Sequence, residues 1–407
     1  MKWEIRSFPV FNCSYQPPFR RDGGFFLFPV HSSLEHPSYF PRNIPVMKTL
    51  FWIGGPNRFE TKLLPEWNVV RAEIRPGTFL TWADCVKLCR GEPDAVLAGD
   101  SSLPPYLLGV EDFPCPTIFY AVDTHIHSWL PFYGQAFDAC LVSLRDHLPL
   151  FTRARGGRLP AERVLWHPPC APSLPEDEEL PELPKEWDCL FVGTINPETT
   201  PLRQRFFELL GKRIPIAFRT GNYRPLFPRA RLVINICEKG DLNFRVFESM
   251  GCGTALLTPC IRNGQEELFR PGVHMQTYAI PGLVERCVPD APTLEGSMLE
   301  SMASVAADNA EKAIREILSD EPRRKRMVHA AWDEINAHHR PSHRTLALRN
   351  LLEALPPQLA VERRKKAADI RGRYLRFMYL LWGESFPSDH PLREAYTLAA
   401  QGKLPRP

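Results

Sequence analysis

Long apolar runs are missing from this sequence. No stretch reaches the ~18 consecutive apolar residues that a membrane-spanning helix needs. The opening residues, MKWEIRSFPVF, do not have the layout of a secretory signal. An excess of either charge is missing too. The formal net charge is +3, too small to point to a nucleic-acid partner. Among eleven cysteines no two CxxC pairs occur, which removes the usual zinc spacing. Cys85 and Cys89 lie four apart on a predicted helix and read as core. Without an export signal, free thiols and a cytoplasmic location are expected. No internal repeat is found. Proline is what the chain has in plenty: 42 residues, about twice the usual ~5%. They are scattered through loops, which implies well-fixed turns and not disorder.

With 407 residues, 44% hydrophobic and 24% charged, the chain has the make-up of a globular protein of two domains. Residues 1–44 do not read as the start of an α/β domain. FRRDGGFFLFPV sets Asp22-Gly23-Gly24 between aromatic runs, a hairpin signal. A new beginning appears at VMKTLFWIGG, with Met47 as an alternative start. From 45 to 170 apolar runs alternate with a helix. WNVVRAEI (67–74), DAVLAGD (94–100), PTIFYAVD (116–123) and DACLVS (138–143) read as strands buried on both faces, and 79–90 as a helix. Residues 171–187, APSLPEDEELPELPKEW, read as a linker. A second α/β domain, 188–340, follows. DCLFVGT is its first strand, and TTPLRQRFFELLG a helix with Thr200 placed to cap, Pro201 in the first turn and Gly211 at the end. Residues 341–407 read as helices that pack back on the first domain. The predicted class is α/β: two Rossmann-like domains facing a cleft, which suits a ligand held by both.

The stretch NFRVFESMGCGTALLTP, 243–259, carries most of the chemistry. Asn243 is placed to cap a short helix, Phe244 to Gly251, whose first-turn amides attract anions. Arg245 adds a charge-assisted fork for phosphate. Glu248, one turn on, is an acceptor suited to sugar hydroxyls. Gly251 and Gly253 stop the helix and leave room for a ligand against the backbone. A diphosphate with a ribose needs this set of groups. An Arg–Glu surface pair before a capping glycine has the same residues, so the stretch by itself leaves both readings open.

LNFRVFESMGCGTALLTP followed by NGQEELFRPGVHMQTYA resembles the C-terminal half of group 1 glycosyltransferases, and is most similar to their spore maturation protein (CgeB-like) branch. The similar segment is roughly 188–290. The resemblance implies the GT-B fold, with a nucleotide-sugar donor held mainly by the second domain and a terminal helix crossing back to the first. It implies that Glu248 is the second glutamate of an E-x7-E signature and binds ribose. Eight residues earlier stands Gly240 where the first glutamate is expected, with Asp241 beside it and Glu238 two positions before.

Further candidates follow from the same frame. Gly193 and Thr194 offer amides near the donor phosphates, and Arg203 a cation. Asn235 ends a strand on the side facing the cleft. Asp123, His125 and His127, in FYAVDTHIHS, follow a first-domain strand; a carboxylate beside a histidine suits general-base work. The Asp-x-His-x-His spacing also fits a metal, but no further ligand cluster is evident and the resembled family does not use a metal for the phosphates. Asp100 is a weaker candidate. Gly54 and Gly55 would shape the loop nearest the acceptor and diphosphate. VERRKKAADIRGRYLRFMYLLW is basic with an apolar face; packing across the two domains is favoured there over contact with an anionic membrane. The function expected is a metal-independent glycosyltransferase, without cofactor, acting on a hydroxyl of a protein or cell-surface glycan. A nucleotide-sugar epimerase of the same fold, or a sugar-nucleotide-binding protein without catalysis, are the alternatives.

Overall fold

The computed structural model describes residues 47–55, 58–100, 102–175 and 178–403. The hairpin expected within 1–44 lies outside them. Six parallel strands form the first sheet: β1 (Lys48–Ile53), β2 (Trp67–Ala72), β3 (Ala95–Gly99), β4 (Thr117–Ala121), β5 (Ala139–Val142) and β6 (Val164–Trp166). Their order is β2-β1-β3-β4-β5-β6. Five more, β7 (Trp187–Val192), β8 (Ala217–Arg219), β9 (Ala230–Ile234), β10 (Ala255–Pro259) and β11 (Gln276–Tyr278), form the second, in the order β11-β10-β9-β7-β8. Each sheet reverses its winding once, at β1/β3 and at β7/β9. Such switch points open crevices at the carboxyl ends of the strands.

Helices α1 (Trp82–Cys89), α2 (Leu130–Gly134) and α3 (Leu148–Phe151) belong to the first sheet. α4 (Pro201–Leu210), α5 (Phe244–Gly251), α6 (Gln265–Leu268), α7 (Gly296–Ser319) and α8 (Glu321–His338) belong to the second. Then come α9 (Pro341–Ala354), α10 (Gln358–Lys365), α11 (Ala367–Ile370), a π-helical turn at Arg371–Leu375, α12 (Arg376–Glu384) and α13 (Pro391–Ala400).

The period-two pattern of the first-domain strands explains where these last helices go. Phe51, Ile53, Val96, Ala98 and Phe119 point to one face, where Met378, Tyr379, Leu392 and Tyr396 of α12 and α13 cover them. Leu50, Trp52, Leu97, Ile118 and Tyr120 point to the other, under Leu348, Leu351 and Leu352 of α9. The chain's end therefore supplies both covers of the first sheet. Arg363 of α10 fixes this arrangement from beneath. It is fully buried, donates to Thr117 Oγ1 (2.8 Å) and to the carbonyls of Phe113 (2.5 Å) and Cys115 (3.0 Å), and pairs with the Asp138 carboxylate. These partners sit at the amino ends of β4 and β5, opposite the crevice.

Two segments pass between the domains. They are tied by Arg344, which donates to the carbonyls of Pro168 (2.8 Å) and Pro169 (2.9 Å), and by Arg340, which donates to those of Pro172 (2.7 Å) and Gly251 (3.1 Å). Two parallel doubly wound domains, loops facing and terminal helices returning to the first, constitute the GT-B fold.

Candidate functional site

The loops after β1, β3 and β4 form the first-domain wall of the cleft. Asp100 follows β3. Its carboxylate accepts from the amides of Val122 (3.1 Å), Asp123 (2.7 Å) and Ser102 (2.8 Å). Burial, with the nearby Asp123 charge, pushes its pKa up to about 6. The Ser102 hydroxyl donates to the Asp123 carboxylate. Asp123 is thus turned toward Ser102 and Asp100, not toward His125 as the spacing suggested. His127 is half-buried, its ring 6.1 Å from that of Trp129, and burial lowers its pKa. His125 reaches across. It is 7% exposed, with Nε2 3.8 Å from Asp241 Oδ1 of the second domain and Nδ1 buried without a protein partner. Asp241, expected among the donor contacts, is therefore the carboxylate that faces His125. Among the described residues no three His, Cys, Asp or Glu side chains gather as metal ligands.

Across the cleft, α5 begins at Asn243 as its residues imply. The Asn243 side chain does not cap the helix. It exchanges two 3.1 Å hydrogen bonds with Asn235, which is fully buried at the end of β9. Asn235 Oδ1 also accepts from Arg245 Nη1 at 2.8 Å. Asn235 thus has no surface for a ligand and acts by positioning Arg245. The Val192 carbonyl takes Arg245 Nε (3.1 Å) and Nη2 (2.7 Å), and the guanidinium lies 4.5 Å over the Phe191 ring. Burial and the neighbouring Arg203 pull its pKa down to about 10, so it stays cationic at neutral pH. Glu248, expected to bind ribose, is half-buried near Tyr223, and burial raises its pKa against the pull of Arg245. Phe244 carries Arg58 of the first domain 4.0 Å over its ring.

Gly193 and Thr194 follow β7. A Cβ on Gly193 would stand 2.5 Å from Arg245 Nη2. The Thr194 carbonyl accepts from Arg203 Nη1 at 2.8 Å, leaving Arg203 Nε buried without a partner. Thr200 does not cap α4: its hydroxyl bonds to Asn196. The cap is Glu238, whose carboxylate takes the amides of Leu202 and Arg203 at 2.9 Å each. Gly240 has φ +73° and lies where a Cβ would meet the Leu283 carbonyl at 2.7 Å, so the missing first glutamate has a backbone cause. Beside Gly251 and Gly253 stand Ala171 and Leu180 of the interdomain segment, not open space for a ligand.

Arg58 was not singled out by sequence reasoning. It lines a pocket of about 160 Å³ at the β1/β3 switch with Gly54, Gly55, Phe59, Asp100 and Tyr120, and its Nη1 is buried without a partner. An arginine three residues past a strand-ending Gly-Gly was the available signal.

Residues 201–352 match the family model described as glycosyl transferase-like. That segment contains Arg203, Asn235, Asp241, Arg245 and Glu248. No protein of curated function matches in sequence. Among solved structures, Anabaena HepE in complex with UDP and glucose is similar at 13% identity and TM-score 0.45, covering 76% of this chain and 100% of that one. WaaG, a glycosyltransferase involved in lipopolysaccharide biosynthesis, is similar at 10% identity and TM-score 0.46, covering 75% and 99%. Sucrose-phosphate synthase from Thermosynechococcus elongatus has the same identity and TM-score, covering 75% and 98%.

Proposed function

We propose that the chain is a glycosyltransferase that moves a sugar from a nucleoside-diphosphate sugar to a hydroxyl of a protein or cell-surface glycan. The observation that carries this reading is the pairing of His125 with Asp241 across the cleft, within the segment that matches the glycosyl transferase-like family on one side. In this reading the second domain holds the donor. Arg245 and Arg203 face the diphosphate with the N–H groups that their protein bonds leave over, and Glu248 takes the ribose hydroxyls. As the bond from the anomeric carbon to the phosphate oxygen breaks, charge grows on the diphosphate, and the fixed arginines stabilise it without a divalent ion. His125, steered by Asp241, or Asp123 receives the acceptor proton while the new bond to the anomeric carbon forms. The finer placement in the CgeB-like branch rests on 242–259 and 263–279 and is part of the proposal.

A thermal-shift screen with UDP, GDP, dTDP and CMP sugars tests the reading. A ligand bound only by the folded state must raise the melting temperature. One nucleotide class is expected to do so, in EDTA as well as without it. No shift with any of them would contradict the proposal. Loss of turnover in EDTA, restored by manganese, would remove its metal-free form.

A further inference from the structure

From Gln358 to Glu384 the chain runs as α10, α11, the π-helical turn and α12 along one flank of the first domain. Its inner side is built in, through Arg363, Leu375, Met378 and Tyr379. Its outer side is bare. Phe377 is 68% exposed, Leu381 45% and Leu380 37%, and the spacing i, i+3, i+4 makes them one stripe. Phe132 of α2, also exposed, adds to it: α2 packs against the π-helical turn, and Trp129 meets Trp382 edge-on at 5.8 Å.

The surroundings of the stripe are basic. Arg364, Lys365, Lys366 and Arg376 are exposed, and among the described residues none of their side chains has a hydrogen bond or ion pair. Exposed Arg153 and Arg155 join them from the loop that Tyr374 holds by a 3.1 Å hydrogen bond to the Gly156 carbonyl. Of the nearby acids, Asp369 is paired with Arg373 at 2.6 Å and Glu362 lies in the field of Arg163; Glu384 stands at the far end of α12. An apolar stripe on the same helical run as exposed cations without acidic partners matches the boundary of an anionic bilayer, where apolar side chains enter the acyl edge and cations meet lipid phosphates. A second copy fits poorly. A two-fold contact would set the patch against itself and bring these cations together. Among the described residues no helix is long and apolar enough to cross a membrane, so the contact is peripheral.

We propose that this face docks the protein on an anionic membrane surface. Co-sedimentation of the full chain with vesicles tests it. With equal parts phosphatidylglycerol and phosphatidylcholine, binding should exceed that to phosphatidylcholine alone by roughly tenfold and fall with salt. Phe377→Ser combined with Leu381→Ser should abolish most of it at an unchanged melting temperature. Arg364→Ala, Lys365→Ala and Lys366→Ala together touch no core contact and should weaken binding and flatten its salt dependence. Equal partition into both vesicle types, no binding, or undiminished binding in both variants would overturn the proposal. So would a dimer that the serine variant dissociates, which would give the patch to a second copy.

Discussion

A methyl group added at Gly193 would stand 2.5 Å from Arg245 Nη2, at a glycine whose φ is +155°. Gly193→Ala is therefore expected to displace the guanidinium from the Val192 carbonyl and cost about 1–3 kcal/mol. Urea denaturation and nucleotide binding should both register the change. Glu248→Gln is a milder test. The amide keeps the shape of the half-buried carboxylate, so the melting temperature should hold while affinity for the nucleotide sugar falls. Unchanged affinity would remove Glu248 from the donor site. Single residues were the least legible level of the sequence. Phe244 to Gly251 was readable as a helix with Arg245 and Glu248 on it. That Asn243 would pair with Asn235, and Asp241 with His125, depends on contacts between segments far apart in the chain, and no local pattern encodes them.

Among the elements, α4 owes its start to a residue 36 positions downstream in the chain from Leu202, the Glu238 carboxylate. Glu238→Ala would leave the amides of Leu202 and Arg203 open and should cost about 1–2 kcal/mol. Glu238→Gln keeps one acceptor and should lose less. Equal stability of wild type and alanine variant would show that solvent replaces the cap. Most strands were legible because a parallel strand buried on both faces is a short apolar run ending in Gly, Asp or Ser. β6 was missed: three residues, VLW, offer no period. Thr200 was misread as the cap because the sequence shows a suitable side chain but not where it turns.

Across the whole molecule, histidines buried in neutral form set the response to acid. His167 and His339 are both pulled down to about 3 by burial, with Arg344 adding to it. Their folded pKa values lie below the unfolded value of 6.5, so their contribution is full above that pH and is lost as pH falls toward 3. Each should cost up to about 1.4 kcal/mol per pH unit below 6.5. Unfolding free energies by urea should drop between pH 7 and 5, and His167→Phe should flatten the slope. The two-domain layout and the acidic, proline-rich segment between the domains were legible from composition. The return of the terminal helices to the first domain was expected as well, but not that α9 covers one face of its sheet and α12 and α13 the other, because an amphipathic helix does not declare which face it meets.

If the two domains divide the labour across the cleft, kinetics and binding should separate their variants. With a nucleotide sugar that stabilises the wild type, His125→Ala should cut release of nucleoside diphosphate by roughly 10²–10⁴ while donor affinity changes little. Arg245→Ala should weaken donor affinity and turnover together, because its charge meets the diphosphate before and during bond breaking. Full turnover in His125→Ala, or unchanged donor affinity in Arg245→Ala at an intact melting temperature, would show that the domains do not divide the work in this way.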